Sequence, residues 1–163
     1  MRYHNITKEN MLNGDGLRTV LWVAGCSHHC PQCHNPVTWD INGGLVFDEQ
    51  AKEELFEELK KDYVSGVTFS GGDPFHLENR EEIGALAKEI REKFPDKTIW
   101  LYTGYEWEEI CHLSFLSNID VIVDGKFKIE EKDNNLHWKG SANQRVIDVK
   151  ASLRAGEVRL YQE

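Results

Sequence analysis

Cys26, Cys30 and Cys33 fall within the eight residues "CSHHCPQC" (26–33), and they are three of only four cysteines among 163 residues. Thiols crowded this closely can form a disulfide, hold a structural zinc ion or ligate an iron–sulfur cluster. The spacing is too tight for independent disulfides in a compact loop. In a reducing compartment, clustered cysteines are more often metal ligands. Structural zinc needs four ligands, and Cys111 or one of His28, His29, His34 and His112 is on hand to complete the set. A cubane cluster held by three thiolates instead leaves one iron open to bind a further group. His28 and His29, lying between ligands, read as residues that shape the loop. Cys111 reads as a small buried thiol on a helix.

A second chemistry-bearing stretch is "SGGDP" (70–74). Gly71 and Gly72 let the backbone approach a ligand closely and present its carbonyls. Asp73 offers negative charge to an ammonium group, directly or by holding the loop, and Pro74 fixes the turn. Taken alone, the pair of glycines fits a plain turn into a helix equally well. Thr103, at the end of "TIWLYT" (98–103), offers a hydroxyl. Asp124 and Lys126, in "DGKF" (124–127), offer a carboxylate and an ammonium that could pair with a carboxylate, although a solvated turn accounts for them too. Arg18 reads either as an anchor for a carboxylate or as a surface charge.

The elements that must carry these residues alternate. Strands are expected over 19–25, 66–70, 98–103 and 119–124, with two more over 144–149 and 156–161. A helix is expected over 48–63, capped by Asp48, with Ala51, Leu55, Leu59 and Tyr63 on one face. Another is expected over 79–94, capped by Asn79, with a buried stripe of Ile83, Leu86, Ala87, Ile90 and Phe94 before Pro95. A third is expected over 106–116. Glu53, Glu54, Glu57 and Glu58 read as a solvated helix face. Such alternation predicts an α/β fold with a parallel sheet, in which function gathers at the carboxyl ends of strands. The cysteines follow the first of these strands, "GGDP" the second, "TGYE" the third and "DGKF" the fourth. Four unusual loops are thereby expected on one sheet edge.

Composition sets the bounds. Apolar residues make up 40% and charged residues 29%, which suits one globular domain over 1–163. The net charge of −9 and the absence of a basic run argue against nucleic acid as a partner. The first residues lack a signal-peptide core, and the apolar runs are strand-sized, so no membrane association and a cytoplasmic location are expected.

The spacing Cys-x3-Cys-x2-Cys after a first strand resembles the radical S-adenosylmethionine superfamily, and "SGGDP" resembles its Gly-Gly-Glu-Pro motif. "NGDGLRTV" (13–20) is similar to the Gly-x-Gly-x-Arg entry of the glycyl-radical-enzyme activases, with Asp15 where those often have proline. "LYTGYEWEEI", "VDGKF" and "WKGSANQRVIDV" resemble the branch that activates anaerobic (class III) ribonucleotide reductase, and the likeness runs from "NGDG" to "NQRVIDV". The resemblance implies a short, incomplete (β/α) barrel with a mostly parallel sheet. It implies one [4Fe–4S] cluster on Cys26, Cys30 and Cys33, and S-adenosylmethionine on its open iron. Reductive cleavage there gives a 5′-deoxyadenosyl radical that makes a glycyl radical on the reductase large subunit. A flavodoxin-type reductant, and a homodimer or a heterotetramer with the reductase, are also implied. Gln32 stands where the superfamily usually has an aromatic residue against adenine, so that contact falls to the backbone of Gln32, Cys33 and His34 or to other apolar groups, the His34 ring among them. The resemblance places Gly71, Gly72 and Asp73 about the same cofactor, and their position at strand ends is expected to bring Thr103, Asp124 and Lys126 there too. An activase of another glycyl-radical enzyme, another small radical enzyme, and a zinc-stabilised binding module remain as alternatives.

Overall fold

The computed structural model describes residues 1–33 and 35–162. Among them, seven strands form one open sheet: β1 (Arg2–Asn10), β2 (Arg18–Val23), β3 (Leu45–Val46), β4 (Gly66–Gly71), β5 (Thr98–Tyr102), β6 (Val121–Asp124) and β7 (Arg145–Asp148). Their order is β3-β1-β2-β4-β5-β6-β7. The central four, β2, β4, β5 and β6, are mutually parallel. β1 and β7 flank them antiparallel, and β3, antiparallel to β1, runs with the central strands. The sheet is mostly parallel and does not close on itself.

Side chains alternate between the two faces, as the pleat requires. Leu21, Val23, Val67, Phe69, Ile99, Leu101 and Ile122 point into the main core beneath α1 (Glu49–Leu59), α2 (Arg80–Lys93) and α3 (Trp107–Ile110). Trp100, Val121 and Val123 point to the other face, where Tyr102, Trp138 and Tyr161 pack on them. Both faces are covered, so the central strands carry near-continuous apolar runs. α1 starts where Asp48 accepts a hydrogen bond from Ala51 N, and α4 (Val149–Ala155) starts where Asp148 accepts one from Ala151 N. No helix among the described residues is long and apolar enough to cross a membrane.

Several expectations need correction. The helix expected over 106–116 is only the single turn α3, followed by a 3-10 segment Ser114–Asn118. Phe115 of that segment lies against Gly84 of α2, where a Cβ would meet its ring at 2.6 Å, and this docking favours a break over a continued helix. No strand forms over 156–161. Gly156 ends α4 in the left-handed conformation, and the returning chain makes one isolated bridge, Ile147 to Leu160. Tyr63 lies beyond α1 and is exposed. Asn79 makes no side-chain cap, and its amide donates instead to the carbonyl of Ala24. Glu58 is buried and paired with Lys8 and Lys61 rather than solvated. Cys111 is exposed, not buried.

Candidate functional site

Parallel pairing of Val23 with Gly71 and of Tyr102 with Val123 aligns the carboxyl ends of the four central strands. The cysteine loop leaves β2 there. Its base is sealed by Gly25 N donating to Thr38 O (2.7 Å) and Cys26 N donating to Trp39 O (3.1 Å). Inside the loop, His29 and Gln32 adopt left-handed backbone (φ 48° and 55°). That conformation costs a non-glycine residue roughly 1–2 kcal/mol. Strain of this kind needs a fixed surround to persist. His29 is held by stacking on Trp39, ring centroids 4.5 Å apart.

Cys26, Cys30 and Cys33 all border one cavity of about 140 Å³. Its other walls include Gly71, Gly72, Asp73, Thr103 and Gly104. None of the described cysteines is in a disulfide. Burial pushes the Cys26 thiol up to about 11, and burial also raises Cys30, partly offset by a hydrogen bond from the Phe127 backbone and by the nearby Lys126 charge. A partly buried thiolate is stabilised by a cation beside it, and iron would supply that charge. Among the described residues no three His, Cys, Asp or Glu side chains gather around one point as a single bound ion requires. Three thiols around a larger space suit a polynuclear cluster better. The donor set therefore fits a [4Fe–4S] cluster.

The glycine turn is built for close approach. A Cβ on Gly71, whose φ is +112°, would lie 2.6 Å from Val23 N, and one on Gly72 would lie 2.5 Å from Gly25 O. Only glycine fits both positions. Asp73 is 1% exposed and its carboxylate is fully engaged. Oδ1 accepts from Phe75 N (2.8 Å). Oδ2 accepts from Thr103 Oγ1 (3.0 Å) and Gly104 N (2.9 Å), and the His28 Nε2 lies 2.6 Å from it. Asp73 thus holds the loop, and Thr103 spends its hydroxyl on Asp73. This four-way junction was not legible from the sequence, where His28 and Asp73 stand 45 positions apart.

The remaining predicted residues lie elsewhere. Asp124 does not border the cavity. Its Oδ2 accepts from Trp107 N (2.8 Å) and Arg145 Nη2 (2.6 Å), and its Oδ1 accepts from Arg145 N (3.2 Å), so it ties β6 to β7 and α3. Lys126 and Gln32 are exposed and do not line the cavity. His34 lies outside the described residues. Gly125 and Phe127, from the loop "DGKF" that was singled out for Asp124 and Lys126 instead, complete the wall with Gln144 from the β6–β7 connection. Arg18 is buried at the opposite edge of the sheet. It donates to Thr68 Oγ1, Asp15 O, Thr98 Oγ1, Val67 O and Thr98 O, and is neither a surface charge nor a carboxylate anchor.

Residues 12–147 match the family model described as "4Fe-4S single cluster domain". The chain is 43% identical over 146 residues to the anaerobic ribonucleoside-triphosphate reductase-activating protein of Enterobacteria phage T4, covering 90% of this chain and 93% of that protein. It is 39% identical over 150 residues to the protein of that name from Escherichia coli K12, covering 90% and 97%. The Haemophilus influenzae protein of the same name is 38% identical over 150 residues, with the same shares covered.

Proposed function

The chain belongs to the family of anaerobic ribonucleoside-triphosphate reductase-activating proteins, and on that premise we propose that it installs a glycyl radical on the anaerobic ribonucleotide reductase large subunit. The observation that carries this reading is the convergence of three thiols and a glycine turn on one cavity at the carboxyl edge of the sheet. When bound, the [4Fe–4S] cluster with S-adenosylmethionine supplies one-electron reductive cleavage and the hydrogen abstraction that follows.

This chain's residues do the holding and the excluding. Cys26, Cys30 and Cys33 would ligate three irons. The backbone of Gly71 and Gly72 would receive the ammonium end of S-adenosylmethionine, since both glycines line the cavity. Asp73 keeps the turn in place through its bonds to Phe75 N, Thr103 and Gly104 N. Phe127 and Trp39 contribute apolar wall, which limits water near the reacting groups. The unclosed sheet, a short radical S-adenosylmethionine barrel spanning the whole chain, leaves a side through which a protein loop carrying the target glycine can enter. A flavodoxin-type reductant would supply the electron.

The test is direct. Reconstituted protein is mixed anaerobically with purified reductase, S-adenosylmethionine and a reductant, and the reductase is examined by electron paramagnetic resonance (EPR). A glycyl radical that depends on all components supports the reading. A reductase that stays silent, beside a known activase that converts it, refutes the reading.

A further inference from the structure

His28 stands at the centre of the Cys26–Cys30 interval, yet its imidazole is directed away from ligation and onto the glycine turn. Its Nε2 lies 2.6 Å from Asp73 Oδ2. A carboxylate can only accept, so Nε2 carries the proton. The ring is 7% exposed and meets Tyr105 edge-on, centroids 4.7 Å apart. Arg80 in turn lies over the Tyr105 ring at 5.2 Å. On the other side the imidazole rests against Gly104. A Cβ there would lie 2.4 Å from His28 Cδ2 and 2.7 Å from Nε2. Gly104 has no left-handed backbone, so the ring is the reason position 104 has no side chain.

We infer that His28 is a positioning residue, which fixes the cysteine loop to the S-adenosylmethionine-binding glycine turn through Asp73. The inference rests on the proposed function, since it assigns that turn to S-adenosylmethionine. Two loops from different strands must keep a set spacing if a group bound to the cluster is also to reach the turn. Backbone bonds also tie the turn to the β2 end, Asp73 N donating to Gly25 O at 2.7 Å and Gly72 N to Val23 O at 2.9 Å, and both lie before the first cysteine. The His28–Asp73 bond reaches the turn from between two ligands. Outer partners of this type tune a bound group without touching it.

The experiment compares anaerobically reconstituted wild type with His28→Ala, His28→Gln, Gly104→Ala and the His28→Ala/Gly104→Ala double variant. Iron content, S-adenosylmethionine affinity by equilibrium dialysis, and the cluster's EPR response to S-adenosylmethionine are read for each. His28→Ala keeps wild-type iron but binds S-adenosylmethionine about tenfold or more weakly. His28→Gln, whose amide nitrogen can replace Nε2–H, recovers most of the affinity. Gly104→Ala reproduces the loss by displacing the ring, and the double variant is no worse than His28→Ala alone, the non-additivity of a shared contact. Unchanged affinity in His28→Ala, no recovery in His28→Gln, losses that multiply in the double variant, or iron loss equal to a cysteine variant would each overturn the inference. A wild type that holds iron but binds no S-adenosylmethionine would overturn the proposed function itself, and the inference with it.

Discussion

The carbonyl oxygen of Thr38 lies 2.7 Å from the place a Cβ would occupy on Gly72. That carbonyl also accepts from Gly25 N, at the base of the cysteine loop. The glycine turn and the two ends of the cysteine loop are therefore in backbone contact, with no room for a methyl group. Gly72→Val must push the 36–39 segment away. The expected result is S-adenosylmethionine affinity reduced at least tenfold, on the order seen for disturbed outer partners, with iron retained. Unchanged affinity by dialysis would remove the turn from the site.

The four cysteines separate into two classes. On the proposed ligation, Cys26→Ala, Cys30→Ala and Cys33→Ala would each remove a ligand and should each lower bound iron and abolish cleavage of S-adenosylmethionine. Cys111 is exposed at the end of α3 and away from the cavity, so Cys111→Ala should keep both. Iron analysis and product chromatography on the four variants check this. Loss of iron in the Cys111 variant with its fold intact would make the three-ligand assignment wrong.

Asp124 is a structural clamp. Asp124→Ala leaves the buried Trp107 N without its acceptor and should cost about 2 kcal/mol of stability. Arg145 is one-third exposed and keeps Glu108, so its charge adds little to the loss. The folded fraction should bind S-adenosylmethionine like wild type. Thermal unfolding with dialysis distinguishes this from a role in the site, for which affinity would fall and the melting temperature would not.

Arg18 joins the amino ends of β2, β4 and β5 from the edge opposite the cysteines. Lysine cannot reproduce five donors in a planar fork, so Arg18→Lys should destabilise by about 2–4 kcal/mol. Iron content and S-adenosylmethionine affinity should be unchanged. A variant with wild-type stability would show that the five bonds contribute little.

The four site-bearing loops were legible because each follows an apolar run, and parallel pairing puts such loops on one edge. Asp48 and the stripe of α2 were legible because caps and helical spacing are local. β1 was not, because "RYHNITKEN" buries only Ile6 and shows no clear alternation. Asp124 occupies the position a site residue would, at a strand end, but Arg145 arrives from β7 to use its carboxylate. That pairing is tertiary and leaves no local trace. Arg18 misled for the same reason, since Thr68 and Thr98 reach it across the sheet. Asn79 looked like a cap, yet a buried carbonyl on Ala24 claims its amide. His28 was read as a shaper of its loop, but its contact with Asp73 could be seen only once the glycine turn was placed beside it.

The measurement that tests the central claim most directly is EPR of the anaerobically reconstituted, reduced protein, with and without S-adenosylmethionine. The account predicts a reduced [4Fe–4S] signal that changes when S-adenosylmethionine is added, because three thiolates leave one iron open to it. A protein that takes up zinc and no iron, or a cluster signal that S-adenosylmethionine leaves unaltered, would contradict it.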